Sequence, residues 1–153
     1  MPDTRLHFED VEVGMRWQTS GVQVTEAHLF AFAGLSGDFY EIHVDDEYAR
    51  AQGYPGRIAH GLLGLAMADG LKNRAETRLA AIVSLGWRWR FTGPIFIGDR
   101  LQAEIHITQL RPTRHAERGI VTLAFALRNQ RDETVQEGEN DMMIHRRLAR
   151  AAE

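Results

Sequence analysis

The 153 residues contain no cysteine. That excludes thiol nucleophiles, disulfide staples and Cys-ligated zinc or iron–sulfur centres at once, and it fits a reducing compartment. Lysine is almost as scarce, since 17 of the 18 basic residues are arginine. Those arginines are scattered rather than gathered into a run or a helical stripe, and the formal net charge is −3. Nucleic acid is therefore not an expected partner. Nowhere do the roughly 18 consecutive apolar residues of a membrane span occur, and Met1-Pro2-Asp3-Thr4-Arg5 has no apolar stretch behind it of the kind a secretory signal carries. The expectation is a cytoplasmic protein without a membrane partner.

What is present describes an ordinary globular chain, 44% hydrophobic and 25% charged. At this length one core buries about 70% of the surface the unfolded chain exposes. No repeat, low-complexity tract or linker divides the sequence, so residues 1–153 are read as a single domain. Its character changes near residue 80. Before that point Thr25 stands as an N-cap ahead of a helix with Leu29, Phe30, Ala33 and Leu35, ended by Gly34 and Gly37. Asp45 to Ala51 reads as one or two further turns, and Tyr54-Pro55-Gly56 as a turn. From Ile58 onward, Ile58-Ala59-His60-Gly61-Leu62-Leu63-Gly64-Leu65-Ala66-Met67-Ala68 places apolar side chains at every azimuth, the pattern of a helix buried all round.

After residue 80 the period shortens to 2. Val83, Leu85, Trp87, Trp89 and Phe91 alternate with Ser84, Gly86, Arg88 and Arg90; Leu101, Ala103, Ile105 and Ile107 follow; then Val121, Leu123, Phe125 and Leu127; and a less regular segment runs from Val135 to Ile144. Short connections imply antiparallel hairpins with one face on a core. Only the apolar helix starting near Gly61 is able to cover that face. The predicted architecture is α+β: a long central helix wrapped by a curved antiparallel sheet, the hot-dog fold.

Between the two halves the residues stop looking merely structural. Asp38 and His43 are five apart in an irregular stretch that is able to turn both side chains toward one volume. A carboxylate and an imidazole placed together are the parts needed to activate water and move a proton to carbon. Gly61 follows His60 at the predicted helix start, where backbone N–H groups lack intrahelical partners and the dipole end is positive. A carbonyl oxygen gaining negative charge would be stabilised there.

The run Ser36-Gly37-Asp38, His43-Val44-Asp45 and Ile58-Ala59-His60-Gly61-Leu62-Leu63 resembles the hydratase motif of the MaoC-like dehydratases, the family of (R)-specific enoyl-CoA hydratases. Phe91-Thr92-Gly93-Pro94-Ile95-Phe96-Ile97-Gly98-Asp99 is similar to the strand and turn after the central helix in those proteins. The resemblance covers about residues 8 to 147. It implies a homodimer with a two-subunit sheet, or a higher assembly built from dimers, and an acyl-CoA thioester partner. It also implies reversible addition of water to a trans-2-enoyl-CoA, giving a 3-hydroxyacyl-CoA, with no cofactor. By this resemblance Asp38 and His43 are the catalytic pair and the Gly61 N–H is the oxyanion donor. Ile58 and His60 then stand beside the substrate, His60 chiefly ordering the loop or capping the helix.

Many members carry Asn-Pro between the catalytic residues where this chain has Tyr40-Glu41. The Phe39-Tyr40 pair in this gap is similar to that of MaoC-like domains acting on unusual, branched or ring-derived acyl chains. Tyr40 and Glu41 either touch the acyl group or hold the loop. Two rival readings remain on the same scaffold: an acyl-CoA thioesterase and a non-catalytic acyl-CoA-binding subunit. A metal is not expected from His43, Asp45, Asp46 and His60, whose spacing matches no compact ligand motif. Arg88 and Arg90 read as solvated, Trp87, Trp89 and Phe91 as core, and Asp69 as a polar residue needing a partner within an apolar helix.

Overall fold

The computed structural model describes residues 4–147. A 3₁₀ turn at Phe8–Asp10 precedes two short strands, β1 (Arg16–Gln18) and β2 (Val22–Gln23). Three helices follow: α1 (Glu26–Ser36), α2 (Glu41–Val44) and α3 (Asp46–Ala51). The long helix α4 (Gly61–Arg74) leads into four long strands, β3 (Ala81–Phe91), β4 (Arg100–Pro112), β5 (Arg118–Arg128) and β6 (Thr134–His145). The sheet order is β1-β4-β5-β6-β3, with β2 also pairing β4, and every strand pair is antiparallel.

Along β4 the alternation is strict up to Ile107, and β5 follows it from Leu123 onward, while Ile120 and Thr122 are buried as well. Leu101, Ala103, Ile105, Ile107, Val121, Leu123 and Leu127 are fully buried and Phe125 nearly so. They join Leu63, Ala68 and Leu71 of α4 in one core cluster, the hot-dog arrangement of helix against sheet. Helix α1 starts after Thr25, whose backbone N–H donates to His28 Nδ1 at 3.0 Å, and stops at Gly37 in the left-handed conformation, φ 78°. Gly34 lies inside α1 rather than at its end.

Two expectations need correction. The apolar surface of α4 is not buried all round: Leu62 is 60% exposed and Ala66 is exposed, so one side of this helix is uncovered in the single chain. Nor does β3 keep one apolar face throughout. Register shifts between Ala81 and Val83 and between Ser84 and Gly86 insert two bulges. Each bulge reverses which side chains face inward. Trp87 and Trp89, opposite Asn140 and Gly138, hold the inner face and pack on Phe125, whereas Ser84 takes the position opposite buried Met142. Val83 and Leu85 are left about half exposed. Phe91 is also more than half exposed and belongs to a cavity described below, not to the core.

The polar expectations resolve into ion pairs. Arg88 bridges Glu139 and Asp141, and Arg90 pairs with Glu137, all on the outer face of β3 and β6. Asp69 accepts from buried Lys72 at 2.6 Å, and that ammonium also lies 5.5 Å from the Trp87 ring centroid. Among the described residues no helix is long and apolar enough to cross a membrane.

Gly138, opposite Trp89, has no room for a side chain: an added Cβ would fall 2.1 Å from the Arg88 carbonyl oxygen and 2.8 Å from Trp89 Cα. Backbone cannot move aside as a flexible side-chain end can. Gly138→Ala is expected to destabilise the fold by about 2–3 kcal/mol, at the upper end of overpacking costs, read as a lowered urea midpoint. An unchanged midpoint would mean that β3 and β6 separate freely at this pair.

Candidate active site

The segment from Gly37 to Gly61 is irregular but heavily cross-linked. Ser36 Oγ accepts from the Asp38 N–H at 3.2 Å, and Asp38 Oδ1 accepts from the Tyr40 N–H at 3.2 Å, an Asx turn that aims the chain into α2. Asp45 caps α3 by accepting from the Glu47 and Tyr48 N–H groups. Asp46 at the start of α3 pairs with Arg57, which also reaches Glu26. The Arg57 backbone N–H and guanidinium hold the Asp46 carboxyl below the usual carboxylate range. The approach to α4 is thereby tied to both α1 and α3.

Two imidazoles close the loop. His43 Nδ1 lies 2.8 Å from the Ile58 carbonyl oxygen; an oxygen without a proton can only accept, so Nδ1 carries the hydrogen, and in the neutral ring Nε2 is bare. Ile58 in turn donates its N–H to the Ile42 carbonyl at 3.2 Å and forms an isolated antiparallel bridge with Phe96. His60, only 3% exposed, donates from Nε2 to the Asp38 carbonyl at 2.9 Å. Its ring stacks on that of His43, centroids 3.9 Å apart, and the Phe32 ring lies 5.0 Å from it. Burial pushes the His43 imidazole below its ordinary value of 6.5, and His60 lowers it further; the Ile58 bond and Asp38 work the other way.

The carboxylate of Asp38 and one ring nitrogen each of His43 and His60 all lie within 4.8 Å of one another. The five-residue separation of Asp38 and His43 points to their sharing one volume, whereas nothing in the spacing brings His60 into the same cluster. Its geometry suits proton handling better than metal binding. Stacked rings with planes only 26° apart aim their in-plane lone pairs side by side, whereas a metal needs them convergent at about 2 Å.

Beside this cluster a cavity of about 420 Å³ is lined by His43, Ile58, Gly61, Phe91, Pro94 and Gln136, among others. At the tip of α4 the Leu63 and Gly64 N–H groups donate back to the His60 carbonyl. The Gly61 N–H, at the first helical position, has no carbonyl within the helix to meet it. Of the residues singled out from sequence, the structure thus brings His43, Ile58 and Gly61 to one cavity and Asp38 and His60 to the edge of it. Tyr40 and Glu41 do not line it. The Tyr40 hydroxyl is 2.9 Å from that of Tyr48, its ring meets His43 edge-on, and Glu41 opens α2. Phe91, Pro94 and Gln136 were not legible as site residues, because only the return of two strands beside the α4 tip places them there.

The sequence profile of the MaoC like domain matches residues 9–129. The chain belongs to the MaoC-like dehydratase family. This chain is an enzyme of the hydratase and dehydratase kind, a hydro-lyase. It is 30% identical over 145 residues to an (R)-specific enoyl-CoA hydratase of Rhodospirillum rubrum, covering 93% of this chain and 94% of that protein. It is 29% identical over 142 residues to a 3-hydroxybutyryl-CoA dehydratase of Methylorubrum extorquens, covering 91% and 85%. The crystal structure of a MaoC-like dehydratase from Rhodospirillum rubrum superposes with a TM-score of 0.85 at 29% identity, over 94% of this chain and 99% of that one.

The lowered His43 value predicts that its ring, followed by NMR, titrates with a midpoint below 6.5 in the folded protein. The unfolded chain then binds the proton more readily, so acidification through the window beneath 6.5 should cost stability that returns as pH rises past it. A midpoint at or above 6.5 would contradict the burial seen here.

Proposed function

We propose that this MaoC-like protein adds water reversibly to the double bond of a trans-2-enoyl-CoA, giving a 3-hydroxyacyl-CoA. The observation that carries the reading is the convergence of Asp38 and His43 beside a cavity lined in part by Gly61, whose N–H at the first helical position has no acceptor within the helix. The neutral His43 ring, with Nδ1–H held by Ile58, presents Nε2 as a base. Asp38 supplies a second proton-handling group on the same water. The thioester carbonyl accepts from the Gly61 N–H, so the charge that develops when water adds at the β-carbon meets a donor already in place. The proton delivered to the α-carbon and the hydroxide added to the β-carbon sum to one water, and no cofactor enters the balance.

Phe91, Ile58, Ile95 and Pro94 give the cavity an apolar wall suited to an acyl chain. The Phe39-Tyr40 pair supports an acyl chain that is branched or otherwise unusual. Because neither residue lines the cavity, they act on chain choice through the Tyr40–Tyr48 contact and the loop it holds. Tyr40 packing against His43 makes this loop part of the site's support. The shared core cluster supports reading the chain as one domain.

The working unit in this proposal is a homodimer. Among the described residues strand β3 pairs only with β6, leaving its other edge open along eleven residues, and Ile82, Val83 and Leu85 stand exposed on it. An open apolar edge is a template for a second strand. Two copies pairing β3 to β3 would continue the sheet and cover these side chains. Light scattering at micromolar concentration should give twice the chain mass; a monomer would overturn this assembly.

The function is tested by the loss of conjugated enoyl-thioester absorbance on mixing with crotonyl-CoA and with branched enoyl-CoAs. Asp38→Asn and His43→Gln are each expected to lose at least ~10² in kcat. Wild-type rates in either variant would remove that residue from the chemistry. Release of free CoA thiol without hydration would favour the thioesterase reading, and tight acyl-CoA binding without turnover the binding subunit.

A further inference from the structure

Gln136 stands on β6, beyond the residues matched by the family profile, and is only 1% exposed. A buried primary amide is costly unless its donors and acceptor are used. Its two partners fix which way it points. The Trp89 indole N–H can only donate, and it does so to Gln136 Oε1 at 2.9 Å. The Gly61 carbonyl can only accept, and it takes the Gln136 Nε2–H at 2.9 Å. A chain of donors therefore runs from Trp89 on β3, through β6, to the first residue of α4.

Room for this side chain comes from Gly64, one turn into the helix. An added Cβ there would fall 2.5 Å from both Oε1 and Nε2 of Gln136 and 2.7 Å from its Cδ. The glycine spacing in Gly61-x-x-Gly64 thus has a specific cause: the second glycine is the notch that admits Gln136. The first lies under the ring of Phe91, 2.5 Å from where its own Cβ would be.

This notch bears on the aim of the Gly61 amide, the donor to the thioester oxygen. Glycine has the widest torsional freedom of any residue, and a donor at a fraying helix tip is poorly aimed without outside support. On one side of the Gly61 α-carbon, the His60 ring is bonded to the Asp38 carbonyl. On the other, the Gly61 carbonyl is held by Gln136. We propose that Gln136, oriented by Trp89, is a positioning residue that fixes Gly61 through its carbonyl, so that the N–H on the other side of the same α-carbon meets the developing oxyanion. This inference rests on the hydratase reading. It adds that the donor is set by the far strand of the sheet and not by the catalytic loop.

Three substitutions separate positioning from packing. Gln136→Met keeps the volume and removes both hydrogen bonds. Gly64→Ala leaves Gln136 in the chain but pushes its amide away from Gly61, and since the obstructing atoms are the end of a flexible side chain, the fold is kept. Trp89→Phe removes the donor that orients Gln136 together with part of the ring that packs on Trp87 and Phe125, so its fold is checked before its rate is read. With crotonyl-CoA, or whichever enoyl-CoA the wild type hydrates best, Gln136→Met and Gly64→Ala are expected to lower kcat at least ~10-fold, and KM should stay within about threefold, because the hydrogen bond that weakens is one made fully only in the transition state. Trp89→Phe should fall between these and wild type. Near-ultraviolet circular dichroism and the urea midpoint report the fold; if Gln136→Met does not fold, Gly64→Ala decides alone. A kcat within about twofold of wild type in a folded Gln136→Met or Gly64→Ala, or a loss confined to KM, overturns the positioning role while leaving the hydratase reading intact. A wild type that hydrates no enoyl-CoA overturns both.

Discussion

Two imidazole-to-carbonyl hydrogen bonds hold this site together. His43 reaches forward from α2 to the Ile58 carbonyl, and His60 reaches back from the α4 tip to the Asp38 carbonyl. Each histidine thereby pins the segment that carries the other, and their rings stack where the two bonds cross. A side-chain bond to a backbone carbonyl in a partly buried setting is worth more than the same bond in water, since the alternative is an unpaired polar group away from solvent. The irregular segment between Gly37 and Gly61 keeps a defined shape through these contacts and the Asp45, Asp46 and Arg57 contacts around them.

The same bonds explain the electrostatics. A hydrogen on Nδ1 of His43, required by the carbonyl it meets, leaves Nε2 free, and burial against a second imidazole disfavours a charge on that ring. A ring kept neutral near physiological pH has its lone pair available as a base, although its affinity for the proton is lowered. Asp38, exposed and accepting from the Tyr40 N–H, differs in environment from its partner.

Much of the scaffold was legible from residue patterns. Period-2 alternation in β4, and in β5 from Leu123 onward, is a direct record of one face against a core, and the structure buries those inward residues. Thr25 and Gly37 bracket α1 because capping and left-handed termination are local chemistry. Strand β3 departs from its alternating pattern for a physical reason. A bulge adds a residue without altering composition, so Val83 and Leu85 look like the inner face by counting and lie outside it by register. The all-round apolar surface of α4 likewise predicts burial without saying against what, and in one chain Leu62 remains largely uncovered.

Residue order was enough to set the α+β hot-dog class, the inward side chains of the long strands, and the segment in which Asp38, His43 and Gly61 lie. These are properties of spacing, capping and local turn chemistry, and they are written within a few residues of where they act. It took the packed molecule to establish that His60 stacks on His43, that Phe91 leaves the core for the cavity, and that Gln136 reaches Gly61. Each of these joins groups brought together by the path of the folded chain, through strand register and the packing of the α4 tip against β3 and β6. No local pattern records that register.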